Sequence, residues 1–162
     1  MKKYKWLIIA LNLIVLIVFI NYSILKKEGI LSEGKLVLLE LAPVDPRSLM
    51  QGDYMRLSYA IAQEGTYMDS IATRGYCVVK LDSVGVAEKV RLQEGKTPVM
   101  DDEYLIVYTK SNWSLNIGAE SYFFQEGQAD KYAAAKYGGL KIDREGNNVL
   151  EGLYDENRKR IK

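Results

Sequence analysis

Trp6 to Leu25, WLIIALNLIVLIVFINYSIL, is a run of twenty residues without a charge. At 1.5 Å of rise per helical residue it covers about 30 Å, the thickness of a bilayer's hydrocarbon core. No other part of the chain has such a run. The sequence therefore predicts one membrane-spanning helix at the N-terminus, followed by a water-soluble domain.

The flanks decide what kind of segment this is. Lys2, Lys3 and Lys5 precede the run, as in a secretory signal. A cleavable signal, however, has an apolar stretch of roughly 7–15 residues and a small-x-small cleavage site. Here the run is longer and leaves through Asn21-Tyr22-Ser23-Ile24-Leu25-Lys26-Lys27. It reads as an uncleaved signal anchor. Lys26 and Lys27, followed by Glu28, make the far side less basic than the near one. The positive-inside rule then predicts a cytoplasmic N-terminus and an extracytoplasmic domain. Asn12 lies mid-span; it either bonds its own backbone or bridges to a partner helix, a contact worth on the order of 1 kcal/mol. The expected division is an anchor over 1–27, a domain over 28–157 and a basic tail over 158–162.

Charge and composition exclude several functions. Five of the 22 basic residues lie at or before Lys27 and none of the 21 acidic ones does, so the remainder carries 17 against 21, or −4. A nucleic-acid surface should instead be basic. There is no histidine, which removes the commonest general base and metal ligand and with them a Ser-His-Asp triad or a Cys-His dyad. Cys77 stands alone, so no internal disulfide forms; in Tyr76-Cys77-Val78-Val79 it reads as a core residue. No cofactor or metal is expected. Asp101-Asp102-Glu103 reads as a solvated turn.

The domain patterns as α+β, predominantly antiparallel β, with one helix in its C-terminal half. Lys35 to Leu41 is apolar on nearly both faces and suits a central strand. From Tyr54 to Ala62, Met55, Leu57, Tyr59 and Ile61 alternate with Tyr54, Arg56, Ser58 and Ala60, and the first set should face the core. Arg74–Asp82 and Val86–Gln93 read as a hairpin, with Lys89 and Arg91 out and Val90 and Leu92 in. Glu103 to Lys110 is a further strand. The spacing of Ala129, Tyr132, Ala133 and Tyr137 predicts a helix from Glu126 to Tyr137, stopped by Gly138-Gly139. Leu140–Asp143 and Asn148–Leu153 close the chain as a last hairpin.

Gly52-Asp53-Tyr54-Met55-Arg56-Leu57-Ser58-Tyr59 fits the pattern GDYxxLxY at every fixed position. With Pro43-Val44-Asp45-Pro46-Arg47-Ser48 upstream and the N-terminal anchor, it resembles the GDYXXLXY family of bacterial membrane-anchored proteins. The resemblance continues through Tyr122 to Ala129 and Tyr132 to Gly138. It implies a subunit of a bacterial envelope complex, working beside a multi-pass membrane protein, and no particular chemistry. Physically, the motif is either a turn and strand that start the fold or a polar recognition surface of Asp45, Arg47, Asp53, Tyr54 and Arg56. Gly52 suits a tight turn, and Arg47 suits a carboxylate or phosphate.

Two other readings accompany the subunit. An anchor, a serine and a Gly-Asp box in that order also resemble membrane signal peptidases, with Ser48 as nucleophile and Lys80 as a base of lowered pKa. Ser48 follows Asp-Pro-Arg rather than the peptidase context, and that reading requires Lys80 to be buried beside it. A small-ligand sensor domain is the third, and it requires a pocket. The expected partners are the bilayer and a multi-pass membrane protein, with the Gly52–Arg56 surface, Leu57 and Tyr59 of the motif, and Asn12 as candidate sites.

Overall fold

The computed structural model describes residues 2–42, 54–63, 71–111, 114–125 and 127–162. A first helix, α1 (Lys2–Glu33), is long and apolar enough to cross a membrane and is exposed from Tyr4 to Gly29. It runs one and a half turns past Lys27, where the anchor was expected to end. Ile30 is buried against the domain, and the helix packs on the last two strands. One residue, Gly34, separates α1 from the first strand. Its amide donates to the Ile30 carbonyl at 2.9 Å, and the Gly34 carbonyl accepts from Lys141 Nζ at 3.1 Å. A Cβ at Gly34 would collide with that Ile30 carbonyl and lie 3.0 Å from the carbonyl of Ile142.

The domain is α+β with antiparallel sheets, as expected. Strand β1 (Lys35–Glu40) pairs with β8 (Tyr137–Ile142), which pairs with β9 (Asn148–Tyr154). A second sheet has the order β4-β3-β5-β6, from β4 (Ala87–Gln93), β3 (Arg74–Leu81), β5 (Glu103–Lys110) and β6 (Leu115–Asn116). Between them lie a two-stranded ribbon, β2 (Tyr54–Arg56) with β7 (Ser121–Phe123), and two short helices, α2 (Ala60–Gln63) and α3 (Ala129–Tyr132). One apolar core joins the sheets, including Val37, Leu39, Cys77, Val79, Ile106 and Leu140.

Several expectations need correction. β1 stands at the side of its sheet, and β8 is central. Val37, Leu38 and Leu39 are nevertheless all buried, because the Leu38 amide also donates to the Gly85 carbonyl at 3.1 Å and links the two sheets. In β4 the alternation fails at Val90, which is 45% exposed. Val78 faces Arg91 but Val79 faces Lys89, so Val90 is the extra residue of a β-bulge. The predicted helix over 126–137 shrinks to the single turn of α3. Tyr132 is buried there, edge-on to Tyr122 at 5.1 Å, and Tyr137 is already in a strand.

Gly138 and Gly139 do not stop a helix. They sit inside β8, where each leaves room for a tyrosine ring. A Cβ on Gly138 would come within 2.8 Å of the Tyr59 ring, and one on Gly139 would collide with the ring of Tyr154. Covering strand glycines with aromatic rings restores buried area that glycine lacks. The basic side chains of the C-terminal stretch are exposed, while its backbone is tied to the sheet. The Ile161 amide donates to the Leu153 carbonyl at 2.9 Å, Arg160 bridges to Tyr154, and Ile161 packs on the core.

Three turns share one construction. In each, an aspartate Oδ1 accepts the amide four residues on, at 2.8 Å for Asp82–Val86 and 2.9 Å for Asp143–Asn147 and Asp155–Lys159. The residue before that amide has positive φ: Gly85 at 86°, Gly146 at 82°, and Arg158 at 59°. The first two close the predicted hairpins with glycine, which occupies that region at little steric cost. The third places an arginine where a side chain is strained.

Candidate functional site

The motif region is built on the ribbon β2–β7 and the segment that follows it. Tyr54, Met55 and Arg56 face Phe123, Tyr122 and Ser121 in antiparallel register. The chain then leaves the ribbon. The Leu57 amide donates to the Glu120 carbonyl at 2.8 Å, Tyr59 bridges to Leu41, and the Ala42 amide donates to the Ser58 carbonyl at 2.8 Å. The motif thus stitches the end of β1 to the loop before β7.

Its inner side is core, and Met55, Leu57 and Tyr59 are buried as the alternation predicts; the strand itself ends at Arg56, and Ile61 is buried from α2 together with Ala62. Tyr59 is only 1% exposed, and its hydroxyl donates to the Ala119 carbonyl at 2.7 Å. Burial, then the charge of Glu120, pushes its phenol far above the ordinary value, so it stays neutral. Tyr59 joins β1, the Ala119 loop and the bare backbone of Gly138. A ring that large, with one satisfied hydroxyl, suits a packed junction.

The outer side differs. Arg56 is exposed, and its neighbour across the ribbon diagonal, Phe123, is 75% exposed. Beside them opens a cleft of about 480 Å³ with a polar wall of Arg56, Ser58, Gln63, Asn116 and Glu120. The Gln63 amide holds the Ser58 hydroxyl at 2.7 Å. Glu120 Oε1 accepts the amides of Ile117 and, at 3.1 Å, Gly118, which shapes the loop beneath the motif. Asp45, Arg47, Gly52 and Asp53, with Ser48, lie outside the described residues, and of Tyr54 only the backbone is described.

Asn12 is exposed on α1, and its side chain has no hydrogen-bond partner among the described residues. Asn21, nine residues on, donates instead to its own helix at the Ile17 carbonyl, at 2.8 Å. Only the first is left available to another helix.

Lys80 contradicts the Ser-Lys arrangement. Its ammonium pairs with Asp102 at 2.9 Å on an open surface. The hydrogen bond to Asp102, then its charge, raises the lysine pKa, the opposite of what a general base needs. Among the described residues, no group of three or more histidine, cysteine or carboxylate side chains is placed to hold a metal.

One buried charge was missed. Glu103 is 6% exposed and accepts from both Nη1 and Nη2 of Arg91, at 2.7 and 2.8 Å, while the Met100 amide adds a third bond at 3.0 Å. These bonds hold the carboxyl down to about 2. Arg91 Nη2 also donates to the Pro98 carbonyl at 2.8 Å, so the pair clamps the 94–102 loop to the sheet.

The family profile described as "GDYXXLXY protein" matches residues 16–153, from the middle of α1 to the penultimate residue of β9. The chain belongs to the GDYXXLXY family. No curated protein and no solved structure matches it. The family's matched region includes both the C-terminal half of α1 and the whole ribbon region. Within the eight-residue signature, the fixed residues Leu57 and Tyr59 are core residues, Tyr59 with its hydroxyl bonded to Ala119, whereas Arg56 stands at a variable position and is exposed.

Proposed function

We propose that this GDYXXLXY family member is a non-enzymatic, single-pass subunit of a bacterial envelope complex. Its N-terminus lies in the cytoplasm, its domain lies outside, and it binds a multi-pass membrane protein through α1 and the outer face of the ribbon. The observation that carries this reading is the asymmetry of the motif. Its inward residues complete a core, while Arg56 and the strongly exposed Phe123 stand outward on the same two strands. Exposed aromatic and arginine side chains side by side are the composition of interface hot spots. Asn12, exposed in the middle of an uncharged run and without a hydrogen-bond partner among the described residues, supplies a polar contact for a second helix in the bilayer.

Cross-linked co-purification from gently solubilised membranes tests the proposal. The full chain should bring down a multi-pass protein, and Arg56→Ala with Phe123→Ala should release it while the domain stays folded. Recovery of a lone monomer after cross-linking would reject the subunit reading. Accessibility labelling of a cysteine placed at exposed Asp101, in intact cells, tests the orientation; protection from an impermeant reagent would reverse it.

A further inference from the structure

The end of α1 makes a cleft with the domain at the depth of the lipid headgroups. The uncharged run stops at Leu25, and Ile30 is already buried in the domain. Five helical residues rise about 7.5 Å. The polar layer on each side of the hydrocarbon is itself roughly 5–8 Å deep. The wall of the domain opposite Lys26 and Lys27 therefore stands in or against that layer.

Between this wall and the helix lies an open cleft of about 300 Å³, at the lower end of the roughly 300–1,000 Å³ range of small-molecule pockets. Lys26, Lys27 and Ser23 line it from the helix; Thr109, Asn116, Asn147 and Asn148 line it from the domain, and no carboxylate does. Neither lysine has an ion-pair partner among the described residues. Asn148 Nδ2 donates to the Ile117 carbonyl at 2.7 Å, which fixes the far rim. The neighbouring cleft shares Lys26 and Ile30, and there Glu33, Asp143 and Glu145 offset Lys26, Lys35 and Arg144. The first cleft thus has a net positive lining, whereas in the second the charges balance, and the first is the better suited to an anion.

We propose that the cleft between α1 and the β5–β6–β9 wall binds the phosphate of an anionic phospholipid headgroup. The two lysines neutralise the phosphate, the asparagine and threonine side chains hydrogen-bond its oxygens and glycerol, and the acyl chains run down beside α1 from Leu25. The site needs only the membrane insertion of α1 and is independent of the partner proposed above.

The full chain, reconstituted in phosphatidylcholine nanodiscs with 10% spin-labelled phosphatidylglycerol, provides the test. A motionally restricted lipid fraction is expected. Lys26→Gln with Lys27→Gln should weaken retention by roughly fivefold per lysine, the share of one charge near a membrane surface. Thr109→Trp, which fills the cleft and leaves the charge unchanged, should abolish restriction. Retention in Thr109→Trp with loss in the lysine variant means general surface attraction and overturns the site. Displacement by inorganic phosphate as readily as by a soluble short-chain phosphatidylglycerol would assign the cleft to free phosphate and overturn the lipid. Circular dichroism of each variant separates these outcomes from unfolding, and none of them bears on co-purification of a partner.

Discussion

The two sides of one short segment, Met55 to Tyr59, obey different rules. Inward, Leu57 and Tyr59 are locked by packing, one hydrogen bond and a glycine that leaves space for a ring. Outward, Arg56 and its cross-ribbon neighbour Phe123 contribute exposed surface and little to the core. The fixed Leu57 and Tyr59 of the signature specify how the chain folds, and Arg56, at one of its variable positions, is displayed by that fold.

The contrast can be broken from its inner side first. Tyr59→Ala removes a fully buried ring and should cost about 3–5 kcal/mol, read by denaturation of the full chain in mild detergent. Gly138→Ala drives a methyl into the same ring and should cost roughly 1–3 kcal/mol. Combined with Tyr59→Leu, its penalty should shrink, because the obstructing ring is gone; strict additivity would show that the two residues do not meet. Acid tests a second interior device. The Glu103 carboxyl has a lower pKa in the folded chain than in the unfolded one, so its stabilising contribution is complete above about 4.5 and is lost as pH falls towards about 2. Stability should decline across that window, and Glu103→Gln should flatten the decline while lowering stability at neutral pH.

Smaller effects sharpen the comparison. Arg158→Gly relieves positive φ in the third aspartate turn and should stabilise the domain by about 0.5–1 kcal/mol, seen as a raised unfolding midpoint. Arg56→Ala, on the outer side, should leave stability within about 0.5 kcal/mol. If it instead unfolds the domain, the outer face is structural too and the contrast fails.

Sequence patterns carried much of this fold because their causes are local. The anchor, β1, β5 and both aspartate hairpins follow from runs, alternation and turn chemistry within a few residues. What stayed hidden depends on distant partners. Gly138-Gly139 after an alanine-rich stretch has the look of a helix end, and only the rings of Tyr59 and Tyr154, far away in sequence or across the hairpin, make it a strand. The Val90 bulge is set by pairing with β3, not by β4 itself. Glu103 follows two exposed aspartates and looks equally solvated until Arg91, twelve residues earlier, is laid beside it. In the candidate site, the inward half of the motif was legible by alternation. Phe123 was signalled faintly, as the middle member of an aromatic run between Tyr122 and Phe124, and the cleft at Lys26 had no sequence signal beyond two lysines.

The single residue between helix and sheet has a mechanical consequence. With Ile30 wedged into the domain and Gly34 hemmed in by backbone, the joint is tightly packed. Tilt or axial roll of the rod is thereby coupled to the sheets, and a larger side chain at Gly34 would have to prise the two apart.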